Sequence, residues 1–365
     1  MKIKIVNLNE NYKIIKSNLK KSFDELFKKQ SFILGKEVET LEQNLSKFLK
    51  VKYSLGVSSG TDALIVALMA CGIKKNDEVI IPDMTWISTA SSIMILGAKP
   101  VVADVNLFDG TINLNSLKKR INRKTKAIIS VGLYGNLPDL KNLKDIAIKN
   151  NLYLINDGAQ SFGSKYKNTY CHKYTSISCT SFFPAKVLGS FGDAGACFTN
   201  NKKLYNKMKI IRSHGQSFKS HSIVLGLNAR IDTLQACVVN EKLKIISKEI
   251  SRRKQIAKIY NKYLKKIKSI DVLKPNKFTS YNGSSYVILV NKRDNLQNFL
   301  KSKGIQTANL YNYSITQQPT FKKFKDKDMI NSKILAKKNI CLPIHPYLSN
   351  KDVMFIVNTI KNYFN

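Results

Sequence analysis

The 365-residue chain is long enough for one large domain and a smaller one, and its 43% hydrophobic content suffices for a sizeable core. A formal charge of +37, from 61 basic and 24 acidic residues, ordinarily suggests nucleic acid, but the lysines spread along the whole chain and form no arm or block. We read them as a solvated, lysine-biased surface, as along Lys242–Lys254 and Tyr260–Lys268, whose positive field favours anionic substrates; no dedicated nucleic-acid role is expected.

In chain order, MKIKIVNLNE lacks the apolar stretch of a signal peptide, and no apolar run approaches the ~20 residues of a membrane span, so a cytoplasmic protein is expected. Ser59-Gly60-Thr61 opens an apolar helix over Thr61–Cys71, buried on nearly all sides. Short β-branched runs at Glu78–Ile81, Lys99–Val105, Lys126–Val131 and Leu152–Ile155 alternate with helical segments, among them an amphipathic one between Asp139 and Asn150. That alternation predicts an α/β domain on a mostly parallel sheet, with its site at the carboxyl ends of the strands, where Asp157 falls. A strand-like run, Ser176–Phe183, leads to Lys186 and a glycine-rich turn. A long helix over Ile231–Lys268 connects to a smaller unit with a strand at Tyr286–Val290, a helix at Asn295–Ser302 and a closing helix at Lys351–Tyr363. The division is residues 1–245, a large domain with an N-terminal segment, and 246–365, the connecting helix and small domain.

The six cysteines show no C-x-x-C pair and read as reduced core residues, and the four histidines lack metal-ligand spacing, so no metal is expected. Lys186 and Asp157 suggest a covalently held cofactor, because a lysine forms an imine with an aldehyde and an aspartate keeps a ring nitrogen protonated. Pyridoxal phosphate needs both. A helix N-terminus at Gly60-Thr61 offers free N–H groups and dipole to a phosphate, although an ordinary cap at Thr61 fits those residues equally. Trp86, taken alone, reads as a core aromatic or as a ring-stacking residue.

The segment Ser181–Gly195, SFFPAKVLGSFGDAG, resembles the lysine segment of the DegT/DnrJ/EryC1/StrS sugar aminotransferases, usually S-F-x-x-x-K-x-L-x-x-x-x-G-G. Four more segments agree in order: GVSSGTDA (Gly56–Ala63), DEVIIPDMTWISTA (Asp77–Ala90), DGAQ (Asp157–Gln160) and GLNARIDTLQA (Gly226–Ala236). The resemblance runs from about Phe32 to about Tyr347. It implies the fold type I architecture, a large mostly parallel mixed sheet with a smaller C-terminal α/β domain, working as a homodimer with shared sites. By the same resemblance, Gly60, Thr61 and Ser181 hold the cofactor phosphate, Trp86 covers the ring, Asp157 pairs with the ring nitrogen, Gln160 lies near the phenolic oxygen and Lys186 is the reactive amine and proton shuttle. Asn228 reaches the partner's cofactor phosphate, Arg230 meets an anionic substrate group unless it is a structural ion pair, and Arg212 and His214, in an R-x-H-G segment, approach the sugar; apart from the resemblance, His345 in LPIHPYLS is a further polar contributor or a surface-loop residue.

Lysine rather than histidine at 186 favours transamination over the dehydration of a sister group. No arginine follows Arg293, so the small domain lacks the guanidinium that clamps keto acids, which favours a keto-sugar acceptor. Two departures from the family pattern stand out: Asn156 replaces the usual acid before Asp157, and Thr316 replaces the usual histidine in the Tyr311–Pro319 run. The expected reaction moves an amino group from glutamate to a nucleotide-linked keto sugar for surface polysaccharide or glycan synthesis. The GDAG and RSHGQ segments favour a UDP-linked 3-keto sugar or uronic acid, with a dTDP-linked 3- or 4-keto sugar as the rival. A basic nucleic-acid-binding regulator on the same fold is the non-enzymatic alternative.

Overall fold

A computed structural model describes residues 3–324 and 328–365. Its centre is a seven-stranded mixed sheet. From one edge inward the strands are Tyr53–Val57, Gly195–Thr199, Ile177–Ser181, Tyr153–Asp157, Thr125–Val131, Glu78–Pro82 and Lys99–Ala103. The last five run parallel, and the first two pairings are antiparallel. Strands such as Glu78–Pro82 and Gly195–Thr199 are buried along their whole length, as a sheet covered on both faces requires.

The predicted strands lie where β-branched residues cluster, with small changes at their ends. The run starting at Lys99 stops at Ala103 because Val105 turns to bridge Ile112. The apolar helix forms over Gly60–Ala70, capped by Ser59, whose hydroxyl accepts from the Asp62 N–H. It packs into the main core with Val79, Ile81, Ile129 and Ile155. Asp139 caps the amphipathic helix Leu140–Lys149 in the same way and turns Leu140, Leu143 and Ala147 inward.

The helix Thr233–Leu264, 32 residues long, runs from the large sheet to a three-stranded antiparallel sheet of Ile270–Val272, Tyr286–Val290 and Asn339–Leu342. Helices Arg293–Ser302 and Asn350–Phe364 cover it, and Ile256, Tyr260, Ile288, Leu296, Ile340 and Ile356 form a second core. Ile3 joins that core and bridges to Ile305, so the opening residues pack with the C-terminal unit. Among the described residues no helix is long and apolar enough to cross a membrane.

Candidate active site

Three neighbouring parallel strands end at Val131, Asp157 and Ser181, and all three residues line one cavity of about 600 Å³. The wall also contains Ser59, Gly60 and Thr61, then Thr85 and Trp86, then Ala159 and Gln160, and the segment Phe183–Val187 with Lys186. Segments far apart in sequence thus meet at the carboxyl end of the sheet, the place that parallel topology assigns to ligands.

Asp157 is buried, and its carboxylate accepts from the Thr89 hydroxyl at 2.8 Å and from the Ala159 N–H at 3.1 Å. Thr89 exchanges a further hydrogen bond with Thr85 at 2.8 Å. Burial pushes the Asp157 carboxyl above its ordinary value, while Thr89, Ala159 and the Lys186 charge hold it down. The Lys186 ammonium is pushed below its ordinary value by burial, against the pull of Asp157. A lysine so placed loses its proton more readily than one in water, as a nucleophilic amine requires.

Gly60 starts the helix directly against the end of strand Ile177–Ser181. A Cβ there would lie 2.6 Å from the Ser181 Cβ, so only glycine allows this approach. The Ser59 cap satisfies the Asp62 N–H, and the Gly60 and Thr61 N–H groups belong to the first turn, which has no intrahelical acceptors. Beside them stands the Ser181 hydroxyl, which accepts from the Phe183 N–H at 3.1 Å. Donors at a helix N-terminus, a buried carboxylate and a lysine of lowered basicity on one cavity wall fit the phosphate, ring nitrogen and aldehyde of pyridoxal phosphate.

Trp86 is 56% exposed, so it is no core residue; it stands 5.3 Å from the Tyr311 ring at the cavity wall. Gln160 is held at both ends, accepting from the Tyr134 N–H and donating to the Tyr311 hydroxyl, each at 2.8 Å. His345 lines the cavity, and burial followed by the Arg253 charge lowers it to about 4, so it is neutral at physiological pH. Thr316 turns away from the cavity. Its N–H and hydroxyl both donate to buried Asp83, which also accepts from Ser332, and this network ties the Tyr311–Pro319 run to strand Glu78–Pro82.

Four expected contacts lie elsewhere in the protomer. Arg212 is 4% exposed and bonds the Glu42 carboxylate at 2.7 Å and the Gly56 carbonyl at 2.9 Å. A guanidinium locked in that way cannot turn to a sugar, so its role is structural. His214 sits exposed at φ 58° before a hairpin and does not line the cavity. Asn228 and Arg230 are also outside the cavity of their own protomer, with the Arg230 Nε–H donating to the Asn228 side-chain Oδ1 at 3.0 Å. Conversely, Lys242 is not on the solvated surface; it is 5% exposed and lines the cavity with Glu249 and Arg253. Thr89, Tyr311, Lys242 and Arg253 are the residues that sequence reasoning missed. Only Thr85 and Thr89 carried a local signal, two hydroxyls four residues apart just after the strand Glu78–Pro82.

Fold and site together define a pyridoxal-phosphate-dependent enzyme of fold type I. The sequence profile of the DegT/DnrJ/EryC1/StrS aminotransferase family matches residues 13–361, and the chain belongs to that family. It is 36% identical to the UDP-2-acetamido-2-deoxy-3-oxo-D-glucuronate aminotransferase of Pseudomonas aeruginosa, over 99% of this chain and 100% of that protein. It is 33% identical to a pleiotropic regulatory protein of Geobacillus stearothermophilus, over 100% and 99% of the two chains. A family aminotransferase from Brucella abortus superposes with a TM-score of 0.95 at 31% identity, covering both chains fully.

Proposed function

We propose that this enzyme moves an amino group from glutamate to a UDP-linked 3-keto sugar, a 3-keto uronic acid sugar being the favoured acceptor, and that it works in the cytoplasm as a homodimer. The observation that carries the reading is the joint placement of Lys186, Asp157 and the Gly60–Ser181 cradle on the wall of one cavity. The Pseudomonas relative, matched along its whole length, supports the acceptor.

In this reading Gly60, Thr61 and Ser181 would hold the cofactor phosphate, Trp86 would cover the ring face, and Asp157 would hold the ring nitrogen in its protonated form. When bound, pyridoxal phosphate supplies an electron-poor ring that accepts charge from the reacting carbon. Lys186 would hold the cofactor through its Nζ, and the same amine, of lowered basicity, would serve as the base that moves a proton in the site. Thr89 and the Ala159 N–H fix the Asp157 carboxylate, so its orientation is set before substrate arrives. Gln160 and Tyr311 hold each other beside that carboxylate, and Asp83 anchors the run that carries Tyr311.

The purified holoenzyme should show the visible band of lysine-bound cofactor, and glutamate should bleach it. A UDP-linked 3-keto sugar should then restore the band and yield an amino sugar by mass spectrometry. A band indifferent to glutamate removes the donor, and restoration only by dTDP-linked sugars replaces the nucleotide.

Asn228 is exposed and outside its own cavity, which suits a residue that serves a partner subunit. Asn228→Ala should therefore weaken cofactor affinity about ten- to a hundred-fold, the loss of one hydrogen bond to a charged group. Titration of cofactor into stripped protein measures this, and an unchanged affinity removes the cross-subunit role.

A further inference from the structure

One part of the cavity wall is built from Asn7, Asn11, Lys242, Glu249, Arg253 and the His345–Tyr347 turn. Glu249 acts on both Lys242 and Arg253, and Arg253 on Lys242, so these charges form one group.

This part of the wall contains more positive charge than its protein partners neutralise. Lys242 is 5% exposed, yet it makes no hydrogen bond or ion pair among the described residues; its ammonium lies 5.2 Å from the Phe191 ring. Burial lowers it to about 8, against the attraction of Glu249. Among the described residues Arg253 has no ion pair either. Its one hydrogen bond to them is a long 3.5 Å contact to the Ile344 carbonyl, and its Nε is buried without a partner. Glu249 is already engaged, accepting from Asn11 at 3.0 Å and from the Tyr347 hydroxyl. Buried cations are ordinarily paired, and removing one member of such a pair is strongly destabilising. Two cations left without a pairing carboxylate, both lining a cavity, therefore identify an anion that the cavity receives.

The arrangement also selects the kind of anion. Lys242 and Arg253 lie on one face of the helix Thr233–Leu264, their backbones about 16 Å apart along its axis. Both long side chains reach the same cavity, and the Arg253 charge acts on Lys242, so a compact group with more than one negative charge can meet both where a single carboxylate meets one. Two further buried atoms lack partners here, Asn11 Oδ1 and His345 Nδ1. His345 is neutral, so both can accept hydrogen bonds of the kind a ribose or base donates. We propose that Lys242 and Arg253 bind the diphosphate of the nucleotide-linked substrate, with Asn11 and His345 beside its nucleoside. The proposal rests on the reading of the substrate as a nucleotide-linked sugar.

The test is calorimetric titration of holoenzyme with UDP, and separately with glutamate, for the wild type, Lys242→Met and Arg253→Gln. Lys242→Met keeps length and apolar contact with Phe191, so it remains informative if Arg253→Gln fails to fold; the visible cofactor band reports an intact site. UDP affinity should fall about ten-fold in Lys242→Met, the loss of one charge-assisted contact. Equal UDP affinity in Lys242→Met and wild type overturns the assignment while leaving the nucleotide-sugar reading in place. Weakened glutamate binding with unchanged UDP affinity gives the cations to the donor's carboxylates and overturns it too. A wild type that binds neither UDP nor dTDP removes the nucleotide-sugar reading and this inference with it.

Discussion

Lys186→Ala should abolish the visible cofactor band and lower turnover at least about a thousand-fold, because one side chain supplies both the covalent link and the mobile base. The same change should leave the fold intact. The Lys186 Nζ makes no hydrogen bond or ion pair among the described residues, and burial already disfavours its charge, so alanine removes no folding contact of consequence. A melting curve of the stripped variant within about 1 kcal/mol of the stripped wild type is therefore expected. Two readouts separate chemistry from structure: absorbance and turnover on one side, circular dichroism on the other. Wild-type turnover in a folded Lys186→Ala protein would sink the mechanism.

The parts of this enzyme that could be read from sequence are those whose determinants are local. The helix after Ser59 announces itself through a capping residue and an unbroken apolar run, and strand Tyr153–Asp157 through a short apolar run that leads to an acid. Lys186 and its glycine-rich turn lie within one short segment. Other roles depend on partners far along the chain. Arg212 sits in a segment that suggests a sugar contact, but Glu42 claims it across the fold. Nothing near Lys242 distinguishes it from the lysines around it on a polar helix, and only the packing of the opening segment and the His345–Tyr347 turn makes that face an inner wall. Arg253 shows why the absence of arginine after Arg293 was an incomplete test. The guanidinium that lines the cavity comes from the connecting helix rather than the small sheet.

Asp157→Asn should lower turnover about a hundred- to a thousand-fold while leaving the pocket's shape unchanged. The amide oxygen can keep the bond from the Ala159 N–H. The amide nitrogen would then face Thr89, whose hydroxyl can accept instead of donate and pass its own proton toward Thr85. The substitution therefore removes charge without orphaning a neighbour. What it cannot do is hold a ring nitrogen protonated, so the loss should fall on kcat and on cofactor affinity together. Stability of the stripped protein should move the opposite way. Burial is the leading influence on Asp157 and raises its folded-state value above the unfolded one, so stability falls as pH rises from the ordinary aspartate range to that raised value and the full cost persists above it. The neutral asparagine carries no such cost. Stripped Asp157→Asn should thus melt above the stripped wild type at pH 7 and lose that advantage below the ordinary aspartate range, about pH 4. Adding cofactor should raise the melting temperature of the wild type more than that of the variant. If the stripped variant melts well below the wild type at pH 7, the carboxylate is a structural support, and its placement beside Lys186 is then a packing requirement rather than a catalytic one.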